Sequence, residues 1–255
     1  MRVDILTTAS RAAMLQDSLN FWHSHGWTTQ VWDNTDQPPG AGRNRILADF
    51  YASKRPWLAM VDDDQLIDIK RGWGARFMAN PWEILHNITP DISSWGLLNN
   101  RIHRVDVTVT NPVVAQRWCF VKTSWIGCVV FHRNTGQQYW QHPTGILEEM
   151  DFCLAQFRDG YKVATCSNLV QHDRGGRSTL FTTQQQRVQA YKDAQHRVIR
   201  DWPGCEIRSG KLYREPFIKR YWRNTPGWGS VKNIGLCWQY PEPTTSEFDA
   251  LFSLE

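Results

Sequence analysis

No segment constrains this chain more than residues 57–64. Trp57-Leu58-Ala59-Met60-Val61 is a short apolar run of the kind a strand shows when both its faces are buried, and it ends abruptly in Asp62-Asp63-Asp64. Three adjacent carboxylates repel one another strongly. At the tip of a buried strand they are tolerable when a divalent cation or a basic partner neutralises them. Ligand sites in open α/β sheets also sit beyond the carboxyl ends of the strands. A solvated acidic loop is the plain alternative.

The segments around this run predict the sheet it belongs to. Val3-Asp4-Ile5-Leu6-Thr7 alternates and is β-rich. Ser10 is a plausible N-cap, and Met14, Leu15, Leu19 and Trp22 then follow helical spacing as far as Gly26. Residues 28–32 read as a second strand, 33–42 as a turn-rich loop and 43–53 as a helix. Strand, helix, strand in this order predicts an α/β fold that opens with parallel pairing. Further on, helices are expected over 82–87, 146–158 and 184–200, the last with Val188, Tyr191 and Val198 on one face. Strands are expected near 105–109, 126–131, 161–164 and 169–170. No repeat or low-complexity segment is present.

Three further groups carry chemistry. Glu148-Glu149-Met150-Asp151 packs three carboxylates into four residues. In a first helical turn they would complement the macrodipole, or one could serve as a general base raised by its neighbours. His172-Asp173, followed by Arg174-Gly175-Gly176-Arg177, pairs an imidazole with a carboxylate, a combination suited to Mn²⁺ or a similar ion. A lone histidine is more often structural, but two acidic clusters upstream favour a shared site. Pro39-Gly40-Ala41-Gly42-Arg43-Asn44-Arg45 places glycines before a helix, where backbone amides favour phosphate. Its two arginines oppose the macrodipole, and a bound anion would compensate them.

Composition bounds these readings. The 255 residues are 41% hydrophobic, 13% aromatic and 21% charged, enough for a sizeable core and incompatible with wholesale disorder. No apolar run approaches the ~18 residues of a membrane-spanning helix. The first residues, MRVDILTTASR, lack a signal-peptide pattern, so a cytoplasmic protein with no membrane partner is expected. The six cysteines show no CxxC spacing, which argues against zinc or a redox dithiol and for free, mostly buried thiols. Net charge is +4, yet residues 197–232 hold nine Lys/Arg against three Asp/Glu, leaving −2 for the remainder. The fourteen tryptophans exceed ordinary usage, and tryptophan is a common platform for sugar rings and bases.

Taken in order, these motifs resemble the GT-A fold of nucleotide-sugar glycosyltransferases, particularly the family-2-like, inverting group, over roughly residues 2–180. The resemblance rests on the opening strand and turn (2–10), Asp33 after the second strand, Gly42-Arg43-Asn44 for an Ala-Arg-Asn element and Asp62-Asp63-Asp64 for a DxD motif. It continues through residues 127–133, an acceptor-side segment ending in Arg133. Glu148-Glu149-Met150-Asp151-Phe152 with its trailing Arg158-Asp159-Gly160-Tyr161 matches the Glu-Asp-x-Asp helix, and His172 a late metal-binding position. The usual base is the Asp of the Glu-Asp pair, and here that position is Glu149. The resemblance implies a mixed sheet flanked by helices and a donor site built from Thr7, Thr8, Arg11, Asp33, Gly42, Arg43, Asn44, Arg45, Asp62 and Asp63. A divalent metal, Mn²⁺ or Mg²⁺, would be held by Asp62, Asp64 and His172. Arginines 43 and 45, with Arg174 or Arg177, would contact the donor phosphates. The base would be Glu149 or Asp151, with Glu148 beside them. UDP is the commonest nucleotide in such metal-dependent sites.

The acceptor is less constrained. Arg208, Lys211, Arg214, Lys219, Arg220 and Arg223 interleave with Tyr213, Phe217, Tyr221 and Trp222 in an expected C-terminal extension over 181–255. Basic residues alternating with aromatics suit nucleic acid. The chain therefore also resembles phage enzymes that glycosylate hydroxymethylated pyrimidines in DNA, which would place it in a host cytoplasm. A surface glycan or lipid-linked saccharide is an equal alternative, and a protein acceptor a lesser one. A metal-dependent nuclease would use the same carboxylates but leave Asp33 and the Gly-Arg-Asn turn unexplained. A non-catalytic nucleic-acid-binding module would not need clustered acids. A monomer or small homo-oligomer is expected.

Overall fold

The computed structural model describes residues 1–70, 74–86, 88, 92–99, 119–122, 130–139, 141, 145–174, 181, 183–208 and 211–213. Strand β1 (Arg2–Thr7) leads through a 3-10 turn (Ala9–Arg11) into α1 (Ala12–Ser24), then β2 (Thr28–Asp33), α2 (Pro39–Ala52) and β3 (Leu58–Asp62). Both β2 and β3 pair parallel to β1, on opposite sides of it. The chain thus winds to one side of β1 and then the other, the strand-order reversal at whose carboxyl ends open α/β sheets bind ligands.

The sheet then becomes mixed. It adds β4 (Gln65–Ile67), β5 (Ile92–Asn99), β6 (Cys119–Lys122), β7 (Val130–His132) and β8 (Lys162–Asp173); seven of its eight strands run in the order β2-β1-β3-β7-β5-β8-β4, and the eighth, β6, pairs with β8. Helices α3 (Gly74–Ala79), α4 (Pro81–Leu85), α5 (Glu148–Arg158) and α6 (Gln184–Asp201) complete the described helices, and β9 (Glu206–Arg208) with β10 (Lys211–Tyr213) forms a separate hairpin. This is the mixed α/β sheet flanked by helices that the sequence predicts. Trp22, Phe50, Phe77, Trp95, Phe131, Phe152 and Phe157 fill the core with essentially no exposure. No helix among the described residues is long and apolar enough to cross a membrane.

Several local expectations differ from the structure. Ser10 does not cap α1: it lies inside the 3-10 turn, and neither end of that turn has a side-chain cap. Pro39 starts α2 at its first position, so the glycines lie within the first turn and Arg43 one turn in. The two short strands expected after residue 160 are one long strand, β8, whose pairing with β5 shifts register between Cys166 and Val170. On α6 Val198 is buried, but Val188 and Tyr191 are 43% and 42% exposed, so the apolar face points inward only in its second half. Residues 105–109 and 126–129 lie outside the described residues. Cys153 and Cys205 are free and buried, as expected.

Candidate active site at the carboxyl ends of β1 and β3

Asp62 ends β3, and Asp63 and Asp64 form the two-residue turn into β4. Asp63 is fully buried, and its carboxylate accepts a 2.5 Å hydrogen bond from the Thr7 hydroxyl, while its amide donates to the Leu6 carbonyl at 3.1 Å. Asp64 accepts from the Gln65 side-chain amide at 3.0 Å. The remaining oxygen of each carboxylate meets Arg11, whose Nη2 lies 3.0 Å from Asp63 Oδ1 and 2.5 Å from Asp64 Oδ2. Burial, with Asp64 and Asp62 adding to it, pushes the Asp63 carboxyl up to about 6 against the opposing pull of Thr7 and Arg11. Burial alone would lower the Arg11 pKa, but Asp64 and Asp63 outweigh it and hold the guanidinium above its ordinary value.

Strand β4 joins the aspartate turn to the strand that carries the late histidine. It pairs antiparallel with the end of β8, setting Gln65 opposite Asp173 and Leu66 opposite His172. Gln171 donates to Gln65 at 2.5 Å, and the Arg174 amide donates to the Asp64 carbonyl at 3.0 Å. His172 itself is exposed. Gln65 and Gln171 were not legible as site residues, because an amide gives no signal until its ladder partner is known.

The second acidic cluster reaches the first through Arg43. Leu147 adopts the left-handed conformation with φ 63°, so the chain turns sharply into α5 and places Glu148 and Glu149 in its first turn. Gly145 just before it, φ +62°, faces Pro39 at a distance that a Cβ would reduce to 2.7 Å. The Arg43 guanidinium pairs closely with buried Glu148, lies 3.2 Å from Asp62 and 3.6 Å from Glu149, and sits 5.5 Å from the centre of the Tyr139 ring. The Glu149 side chain is 35% exposed and that of Glu148 only 1%. Behind Arg43, burial first and the guanidinium second push the His132 imidazole down to about 3, so it stays neutral.

Other expected residues have structural duties. Asp151 accepts from Arg197 at 2.8 Å and from the Trp202 indole at 2.7 Å, which fastens α5 to the end of α6. The Asn44 side chain donates to the Tyr139 carbonyl at 2.9 Å and accepts from its amide at 2.6 Å. Gly42 packs against Leu6 and Asn34, where an added Cβ would lie 2.5 Å and 2.4 Å from their side chains, so packing within the protein requires this glycine. Asp33 is exposed and accepts from the Thr35 hydroxyl at 2.6 Å and amide at 2.9 Å, contacts that lower its pKa. Thr35 also receives the Ala9 amide at 2.8 Å, which ties the loops after β1 and β2 together. Arg45 is exposed and donates to the Asp33 carbonyl, and Thr8 lies 3.2 Å from Ser10. Arg133 donates to Ile88 at 2.6 Å and stacks over Trp57. Arg177 and the basic and aromatic residues from Arg214 onward lie outside the described residues.

Five carboxylates, Asp62, Asp63, Asp64, Glu148 and Glu149, thus share two guanidinium groups at one edge of the sheet. Carboxylate oxygens are chemically suited to Mn²⁺ or Mg²⁺. Among the described residues, no three His, Cys, Asp or Glu side chains are already gathered as a ligand cluster, and the cation between Asp63 and Asp64 is Arg11.

No protein-family model and no curated protein matches the chain. Among solved structures, S. aureus TarS 1-349 in complex with UDP-GlcNAc is similar at 9% identity and a TM-score of 0.47, over 87% of this chain and 71% of that one. A197 from STIV is 13% identical with a TM-score of 0.39, over 68% and 85% of the two chains. GalNAc-T7 with UDP, GalNAc and Mn²⁺ is 8% identical with a TM-score of 0.42, over 91% of this chain and 47% of that one.

Proposed function

We propose that the chain is a metal-dependent, inverting nucleotide-sugar glycosyltransferase of the GT-A kind. The observation that carries this reading is the junction of the two acidic clusters: Arg43 joins Asp62 at the tip of β3 to Glu148 and Glu149 at the start of α5. A donor diphosphate at the carboxyl ends of β1 and β3 would then lie beside a carboxylate able to take a proton.

Asp62, Asp64 and His172 are the residues that would hold a divalent cation, which would neutralise the departing nucleoside diphosphate. Thr7, Thr8, Arg11, Asp33 and Arg45 line the donor side, with Asp33 and Arg45 toward the nucleoside. Glu149 is the base. It is the most exposed of the three, at 35% against 1% for Glu148, which is buried on Arg43, while Asp151 is held by Arg197 and Trp202. Its carboxylate accepts the proton of an acceptor hydroxyl; that oxygen bonds to the anomeric carbon from the face opposite the leaving group. The bond to the diphosphate oxygen breaks, and the configuration inverts. The two acceptor classes to assay are saccharide hydroxyls and hydroxymethylated pyrimidines in DNA.

Thermal unfolding of the full chain with each nucleoside diphosphate, in Mn²⁺, Mg²⁺ or EDTA, tests the reading. A rise in Tm is expected for one nucleotide, UDP first, only when metal is present, and Asp64→Ala should abolish it. No rise with any nucleotide would overturn the assignment.

A further inference from the structure

The two buried-edge aspartates share an arrangement that a general acidic loop would not have. Each carboxylate gives one oxygen to a neutral donor, the Thr7 hydroxyl for Asp63 and the Gln65 amide for Asp64. Each turns its other oxygen to the same nitrogen, Arg11 Nη2. The arginine comes from the 3-10 turn after β1, where its amide is held by the Thr8 carbonyl at 2.9 Å. Its side chain also approaches the Met14 sulfur at 3.5 Å and keeps 26% of its surface exposed. No carboxylate on its own turn or on the first turn of α1 holds it back.

We propose that Arg11 is a resident counter-ion of the aspartate turn which a divalent cation displaces, and that the freed guanidinium then serves the diphosphate of the donor. The proposal rests on the metal-dependent reading of this site. Carboxylate oxygens bind a small divalent ion directly, and its two charges answer the local excess of acid better than one guanidinium can. A guanidinium lifted from Asp63 and Asp64 remains at the carboxyl edge of the sheet, where it can pair with phosphate oxygens through its planar fork. Metal and nucleotide then assist each other's binding through one side chain, and by linkage the coupling is reciprocal.

The test is Mn²⁺ binding to the full chain without nucleotide, read by the electron paramagnetic signal of free Mn²⁺, for wild type, Arg11→Gln and Arg11→Lys. Arg11→Gln should bind Mn²⁺ on the order of tenfold more tightly than wild type. Arg11→Lys, which keeps the positive charge on a shorter and more strongly hydrated head group, should fall between them. The metal-free Tm of Arg11→Gln should drop and Mn²⁺ should restore it; a purely structural arginine would lower Tm equally with and without metal. UDP should add less stability to Mn²⁺-loaded Arg11→Gln than to Mn²⁺-loaded wild type. Equal or weaker Mn²⁺ binding by Arg11→Gln overturns the displacement while leaving the metal site standing. Absence of Mn²⁺ binding in all three proteins overturns the proposal and the metal-dependent reading together.

Discussion

At the scale of single residues, the site separates carboxylates by what already occupies them. Glu149→Gln should lower turnover by about 10²–10⁴-fold while leaving the nucleotide-dependent rise in Tm intact, since a general base contributes in that range. Asp151→Asn should do the reverse: a loss of stability on the order of 1–3 kcal/mol in chemical denaturation, from weakening a part-buried clamp, with activity per folded molecule retained. Two buried titrating groups act in opposite directions. Asp63, raised to about 6, favours the folded state while protonated and withdraws that support as pH climbs through 6. Metal-free Asp63→Asn should therefore be more stable than wild type at pH 7.5, by about 2 kcal/mol. His132, held near 3, is neutral when folded and protonated when unfolded below pH 6.5, so stability falls with acid at up to about 1.4 kcal/mol per pH unit. His132→Gln should remove that component of the slope in urea titrations between pH 6.5 and 5.

At the scale of elements, α2 is placed by close approach to β1. Gly42→Ala would drive a methyl group into Leu6 and Asn34, and a loss of about 1–3 kcal/mol is expected in urea unfolding. The parallel opening of the sheet and the acid-tipped strand were legible in the sequence, because buried parallel strands read as apolar runs and their tips face ligands. The start of α2 was not. A Pro-Gly-rich stretch reads as loop, yet proline at the first helical position suits a helix, and tertiary packing carries the glycines. Strand β4 is three residues of mixed character and β5 contains serines and a glycine, so neither shows a clean period; their pairing with β8 and β7 makes them strands. For the site, sequence proximity suggested Asp151 as a rival to Glu149. Only the approach of Arg197 and Trp202, from a helix two elements later, separates them.

At the scale of the whole molecule, the charge is +4, yet the carboxyl edge of β1 and β3 is locally acidic. An anionic diphosphate should therefore be repelled from that edge until a cation is bound. With metal and a nucleotide at about a hundred times its dissociation constant, mass action adds about 2.7 kcal/mol, which corresponds to a Tm rise of roughly 5–10 °C for a chain of this length. Calorimetry that finds the same rise in EDTA would contradict this account of the edge. The clip between Gln65 and Gln171, 106 residues apart, also fixes an order of assembly. During synthesis the aspartate turn leaves the ribosome long before the strand that closes over it, and such distant closure comes late because its entropy must be met first. The nascent chain therefore carries its acids as an open, hydrated loop, and a competent pocket arises only when the second half of the sheet has docked.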